Sequence, residues 1–351
     1  MVHFGQGDWG IVDSCLEPNS KRPVALHYLK LLQVDAEKSV RFVLASHWHD
    51  DHMQGISSVF KEAKSALFAC SQAVRTPEFN EILSSWTGTR FLPGGSGVDE
   101  LHSVMSELAK RKADTRYPSP VLASANKVIW ERARQPAITV KALSPSDAAV
   151  LATLARLKPL CPKNSKARRR LLSLQPNDTS VALALQIGNH RVLLGADLEA
   201  RRDSGLGWIA VVDGFDKNEP KHQGFKIPHH GSPTAHHAGV WDHMLTDDPW
   251  AVTTPFVSGN VKLPSVADSQ HILDRTTGAY LTAPPHPAKF RDSNKTVEKT
   301  AHEATLSIHF IPGRYGQVRI RKDANFVPEA PWNVELFGDA LTMSDYVHGT
   351  H

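Results

Sequence analysis

The alternation of apolar and polar positions changes period several times along the chain, and these changes mark out its elements. Val2 to Cys15 reads as two short strands around the tight Gly5-Gln6-Gly7-Asp8 turn. Pro23 to Val34 has helical periodicity, with Leu26, Leu29 and Leu32 on neighbouring turns. Val40–Ala45 is a β-rich apolar run that ends directly on Ser46-His47-Trp48-His49-Asp50-Asp51-His52. A helix over Ile56–Lys64 and a strand over Ala66–Cys70 follow, and strands alternating with helices are the signature of an α/β protein.

Farther along, Asp99–Lys112 reads as a helix, Asn126–Arg134 and Ile138–Leu143 as strands, and Pro145–Leu157 as another helix. The basic stretch Lys163–Arg170 leads to a hairpin made of Ser180–Ile187, a Gly188-Asn189 turn and Arg191–Gly195. Strands are expected over Trp208–Val212, Ala251–Phe256 and Gly278–Thr282, and a helix over Ser265–Asp274. Thr305–Pro312 and Gln317–Arg321 read as a hairpin around Gly313 and Gly316. There is no repeat and no low-complexity linker. The simplest organisation is one domain over residues 1–325 with an insertion near 71–120, then a tail over 326–351 without a legible pattern.

Composition narrows the class. The chain has 351 residues, of which 41% are hydrophobic and 22% charged, as in ordinary globular proteins. No apolar run approaches the ~20 residues that span a bilayer, and the first residues lack the basic and apolar regions of a signal peptide. Cys15, Cys70 and Cys161 are an odd, scattered set that argues against a disulfide framework. These features predict a cytoplasmic protein with no membrane partner. The formal charge of +4 is compatible with a polyanionic substrate without requiring one.

Candidate chemistry concentrates where the strand over Val40–Ala45 runs out into a loop. Imidazole and carboxylate suit zinc, and strand ends are where α/β proteins place ligands. His47 and His49 are two apart, so both can face one side of an extended segment, while Asp51 and His52 fall in the following turn.

The motif HxHxDH after an apolar strand resembles the metallo-β-lactamase superfamily, which implies a four-layer αββα hydrolase sandwich, here with insertions. Other pieces extend the resemblance in the family's order. IVDSC, with Asp13, is similar to the early strand ending in an Asp that braces the metal site. LLGADLE, with Asp197, resembles the strand whose terminal Asp bridges the metals, and FKIPHHGS resembles the segment supplying the last His ligand. At finer grain, Gly5–Asp8, Asn177–Leu185, His229–Ser232, Leu263-Pro264-Ser265 and Gly278–Thr282 resemble the nuclease domain of ComEC-type competence proteins. That branch commonly has a His-Pro pair where this chain has Leu263-Pro264.

The resemblance implies a centre, dinuclear in the family, that holds Zn2+ or alternatively Mn2+ or Mg2+ on His47, His49, Asp51, His52, Asp197 and one of His229 and His230. Where many members carry a third-motif His, this chain has Gln175-Pro176-Asn177-Asp178-Thr179-Ser180. Asp178, or Asn177, is the candidate oxygen ligand there, although such a turn needs no metal at all. Adjacent residues of an extended segment face opposite sides. His230, next to Gly231-Ser232, is therefore assigned as the ligand and His229 as the general acid, with the reverse left open. Asp51 anchors the catalytic metal, and Ser232 is placed beside the substrate.

The implied reaction is metal-assisted hydrolysis. A nucleic-acid phosphodiester is favoured by the branch resembled, by the basic balance, and by Arg168, Arg169 and Arg170 beside Lys163 and Lys166. Lys289, Arg291, Arg314, Arg319 and Arg321 add charge toward the C-terminal end. Similar free-standing domains occur in bacterial defence operons, which implies a DNase effector with a regulatory protein partner. A small-molecule esterase or cyclic-nucleotide phosphodiesterase, and a non-catalytic metal-binding partner, remain the alternatives.

Overall fold

The computed structural model describes residues 1–17, 20–75, 97–158, 175–201, 203–285, 315–323 and 331–349. These form a mixed α/β structure built on two larger sheets. The first contains β1 (Val2–His3), β2 (Trp9–Val12), β3 (Val40–Ala45), β4 (Leu67–Ser71) and β5 (Val121–Ala123), in that spatial order. β1 pairs antiparallel with β2 through the Gly5–Asp8 turn, and β2 to β5 run parallel. Parallel strands require crossovers. Helices α1 (Val24–Leu31) and α2 (Ala36–Ser39) make the first, and α3 (Asp50–Met53) and α4 (Ile56–Glu62) the second. Helix α5 (Gly97–Arg111) precedes β5.

The second sheet begins with β6 (Val128–Arg132), β7 (Ile138–Ala142), β8 (Leu183–Ile187) and β9 (His190–Leu194), all antiparallel, with helix α6 (Asp147–Leu157) between β7 and β8. It continues in parallel through β10 (His222–Lys226), β11 (Leu245–Thr253) and β14 (Ala279–Leu281). A two-stranded excursion, β12 (Phe256–Ser258) and β13 (Val261–Leu263), stands between β11 and helix α8 (Val266–Leu273).

Period-two alternation distributes the core. In the first sheet Val43, Ala45, Phe68 and Cys70 face the helices, where they pack with Leu29, Ile56, Phe60 and Leu101. Their neighbours Phe42, Leu44 and Ala69 face the other way and meet Ile138, Val140, Leu183 and Leu185 of the second sheet. The far side of the second sheet, with Leu193, Phe225, Ala251 and Ala279, is covered by Trp208, Val211, Trp241 and Ile272. The layers therefore run helices, sheet, sheet, helices, each boundary holding an apolar cluster.

One expectation needs revision. Trp208–Val212 lies in helix α7 (Gly207–Asp213), not in a strand. A short apolar run fits either element, and burial of Trp208 and Val211 at i, i+3 shows the helical period. Gly207 has φ +56, and a Cβ there would lie 2.0 Å from the Glu199 carbonyl, so glycine permits the entry. Of the expected hairpin of Thr305–Pro312 with Gln317–Arg321, 305–312 lies outside the described residues, and β15 (Gly316–Arg321) pairs with β16 (Asn333–Gly338). In the segment after Asn325, β17 (Leu341–Thr342) adds an antiparallel edge to β14. Helix α9 (Met343–His348) follows and buries Met343 and Tyr346 in the second sheet's cluster. Among the described residues, no helix is long and apolar enough to cross a membrane.

Candidate metal centre

Four chain segments meet where strands of both sheets run out. The first is Asp13, after β2, whose φ of 58 lies in the left-handed region that non-glycine residues rarely occupy. Its Oδ1 accepts the Ser46 N–H at 2.7 Å, its Oδ2 accepts the Ser46 hydroxyl at 2.8 Å, and Oδ2 lies 2.7 Å from His52 Nδ1. The Ser46 proton is committed to Asp13, so Ser46 Oγ accepts from His47 Nδ1 at 2.9 Å. His230 Nδ1 donates to the Thr254 carbonyl at 2.9 Å.

Three imidazoles thus spend Nδ1–H on oxygen acceptors, which turns each Nε2 toward the centre, where it offers a lone pair whenever it is unprotonated. This is how metal-ligating histidines are oriented by outer partners. The three Nε2 atoms converge on Asp197, in the loop after β9. His52 Nε2 is 3.2 Å from Oδ1, and His230 and His47 are 3.6 and 3.9 Å from Oδ2. Asp51 Oδ2 lies 3.2 Å from His230 Nε2 and 3.6 Å from His52 Nε2. Two groups of ligand atoms result, His47–His52–Asp197 and Asp51–His52–His230, each with all members within 4.8 Å of one another. His49 adjoins the first group, its Nδ1 3.0 Å from His47 Nε2.

The donor set, imidazole and carboxylate together, could hold a metal ion. Asp197 Oδ1 is buried, and apart from His52 Nε2 at 3.2 Å it has no hydrogen-bond partner among the described residues. A buried carboxylate oxygen facing imidazole lone pairs is costly unless something cationic joins them. A proton serves in the metal-free protein. Burial opposes charge on His52, but the Asp13 and Asp197 carboxylates outweigh it and push the imidazole up to about 10. Burial likewise opposes charge on Asp51, yet His230 and His52 hold its carboxyl down to about 2. Asp197 is held well below the carboxylate range against its burial, chiefly by His52. Burial, then the charge of His52, pushes His47 well below its ordinary value, so it stays neutral.

Backbone geometry sets these positions. Ala196, His229 and His230 have φ of 46, 44 and 56, and the His229 N–H bonds the Ala196 carbonyl at 3.0 Å, tying the two loops together. Left-handed non-glycine residues cost free energy and gather at functional sites. Asp50 is turned away from the centre and accepts the Gly97 N–H at 2.6 Å, at the start of α5. A Cβ on Gly97 would lie 2.3 Å from the Trp48 carbonyl, so glycine allows α5 to press against the motif loop.

His229 is directed elsewhere. Its Nδ1 lies 3.1 Å from both Thr234 Oγ1 and Ser232 Oγ and 3.6 Å from Glu199, and its Nε2 is 3.4 Å from Asn177 Nδ2. Asn177 donates from the same Nδ2 to Glu199 at 2.8 Å, while its buried Oδ1 has no partner among the described residues. Asp178 belongs to neither ligand group: its carboxylate is taken up by Arg156 and, at 2.6 Å, by Arg201. Arg168, Arg169 and Arg170, with Lys163 and Lys166, lie outside the described residues, as do Lys289, Arg291 and Arg314. Arg319 and Arg321 are paired with Glu335.

Glu199, Ser46 and Thr254 carry roles that sequence reading missed. Glu199 stands two positions after Asp197 and Ser46 directly before His47, which is the only local signal. Thr254 acts through its carbonyl, which no side-chain pattern reveals. In comparisons with known proteins, no protein-family model matches the chain, and no curated protein matches it.

Proposed function

We propose that this protein is a metal-dependent hydrolase of the metallo-β-lactamase fold that cleaves nucleic-acid phosphodiester bonds, with DNA as its first substrate. The observation that carries the reading is the convergence of His47, His52, His230, Asp51 and Asp197 from both sheets, with each imidazole Nε2 aimed inward. The layer order of helices, sheet, sheet, helices supports the fold assignment, and the motif resemblance and basic balance support the substrate class.

Zinc, manganese or magnesium held there would supply Lewis acidity and a nucleophilic water near neutral pH. The chain's own residues do the rest. Asp13, through Ser46 and directly, holds the rings of His47 and His52, and Asp197 draws on ligands from both sheets. His229 carries the proton for the leaving oxygen. Ser232, Thr234 and Glu199 fix its Nδ1 side, and Asn177 faces its Nε2.

The test is to incubate purified protein with plasmid, single-stranded DNA and RNA in zinc, manganese or magnesium, with EDTA controls. Cleavage that requires metal is expected. Asp51→Ala should abolish cleavage and leave nucleic-acid binding largely intact, because phosphate attraction is an electrostatic property of the surface. Metal-replete protein that leaves every nucleic acid uncut yet hydrolyses a small ester or cyclic nucleotide would overturn the reading.

A further inference from the structure

The hairpin of β12 and β13 has no role in the centre's ligand set, yet it is built onto that centre at both ends. At its entry the Thr254 carbonyl receives His230 Nδ1–H, and the Phe256 ring lies 5.1 Å from the His230 ring, tilted by 33°. At its exit Pro264 approaches Gly231 so closely that a Cβ there would be 3.3 Å away. Partners across an antiparallel pair share a face, and Phe256 pairs with Leu263 and Ser258 with Val261. Phe256, Ser258, Val261 and Leu263 therefore form one face, and Phe256 fixes it as the face toward His230. Toward the tip this face is open: Val261 is 51% exposed, and the turn residue Gly259 has no atom within 4 Å of where a Cβ would stand.

A half-buried phenylalanine ring beside a metal ligand, continued by an exposed apolar residue, is an expensive surface to leave to water. It suits a flat, apolar group attached to whatever the centre holds. We infer that Phe256 is a stacking platform for an unpaired nucleobase adjacent to the scissile phosphate, with Val261 extending the contact. The inference rests on the phosphodiesterase reading and makes that reading narrower: the substrate is single-stranded nucleic acid, since a base within a duplex is already stacked and cannot reach the ring. Stacking on an aromatic face is sequence-tolerant, so strand form and not sequence is what this residue selects.

The experiment compares zinc-loaded wild type with Phe256→Leu and Phe256→Tyr. Binding is read by fluorescence anisotropy on a single-stranded phosphorothioate oligonucleotide and on an abasic strand of equal length and linkage, with zinc content measured for each protein. Wild type should prefer the base-bearing strand by about tenfold. Phe256→Leu should lose that preference with zinc content unchanged, and Phe256→Tyr should keep it. Equal binding of the two strands by wild type, or a preference retained in Phe256→Leu, overturns the inference. So does loss of zinc in Phe256→Leu in parallel with binding, because the ring would then act only by packing against His230. Failure of the hydrolase reading looks different: the base preference persists while unmodified DNA and RNA stay uncut.

Discussion

At the scale of single residues, the proposed function divides the labour of the site between the adjacent pair His229 and His230. The division comes from a left-handed kink and not from the facing of an extended strand: both residues have positive φ, 44 and 56. His230 turns in to Asp51 and Asp197, and His229 turns out to Ser232, Thr234 and Glu199. His230→Ala should therefore lower metal content. His229→Ala should retain metal and slow turnover by about 10²–10⁴-fold, the range for a lost general acid. Metal analysis and steady-state rates of both variants check this; full occupancy in His230→Ala reverses the assignment. The residue types of the centre were legible because imidazole and carboxylate stand in a short, ordered motif. Their supports were not, because Ser46, Glu199 and the Thr254 carbonyl are ordinary groups made special only by what folding brings to them.

At the scale of elements, the turn between β1 and β2 shows how a motif residue can serve the fold. Asp8, 1% exposed, takes hydrogen bonds from Arg41 on β3 at 2.6 Å and from Arg132 at the end of β6, while Arg134 lies 3.4 Å away. Arg132 also donates to the Phe4 and Gly5 carbonyls at 3.0 and 3.2 Å, so one buried guanidinium pins the edge of the first sheet to the second. Asp8→Ala leaves that guanidinium buried without its carboxylate, and the expected cost is about 3–5 kcal/mol, read as a fall in the denaturation midpoint. Burial opposes the charge on Asp8, but its bonds to Arg41 and Arg132 hold the carboxyl below its ordinary value of 3.8. The stabilisation is thus present above 3.8 and lost as pH falls through the lower folded value, so wild type and Asp8→Ala should converge in acid. Elements were legible where period and punctuation agreed, as in Val40–Ala45 before its polar loop. They were misread where a short apolar run carried no period of its own, as at Trp208–Val212. The pairing of β15 with β16 and of β17 with β14 joins distant segments, which local pattern does not encode.

At the scale of the whole molecule, the centre is a joint between the two sheets. His47, His49, Asp51 and His52 follow β3 of the first sheet, whereas Asp197 and His230 follow β9 and β10 of the second. The layered fold follows from apolar runs that are legible in the sequence, but the meeting of these loops depends on strand order across two sheets, which is not. A ligand that binds only the folded state adds stability, about 4 kcal/mol at a thousandfold excess over Kd. Here pH should reveal that a proton and a metal compete for the same role. In metal-free protein the His52 imidazolium ties Asp13 to Asp197, and its folded value of about 10 exceeds the ordinary 6.5. That contribution is fully present below 6.5 and is lost as pH rises through about 10. Metal binding needs His52 neutral, so it releases the proton and tightens as pH rises over the same window. Thermal melts in EDTA should therefore show stability falling from about pH 6.5 upward, whereas zinc-loaded protein holds or gains, so that the gap between the curves widens with pH. Curves that stay parallel across that window would mean that His52 does not exchange a proton for the metal, and with it the shared centre would fall.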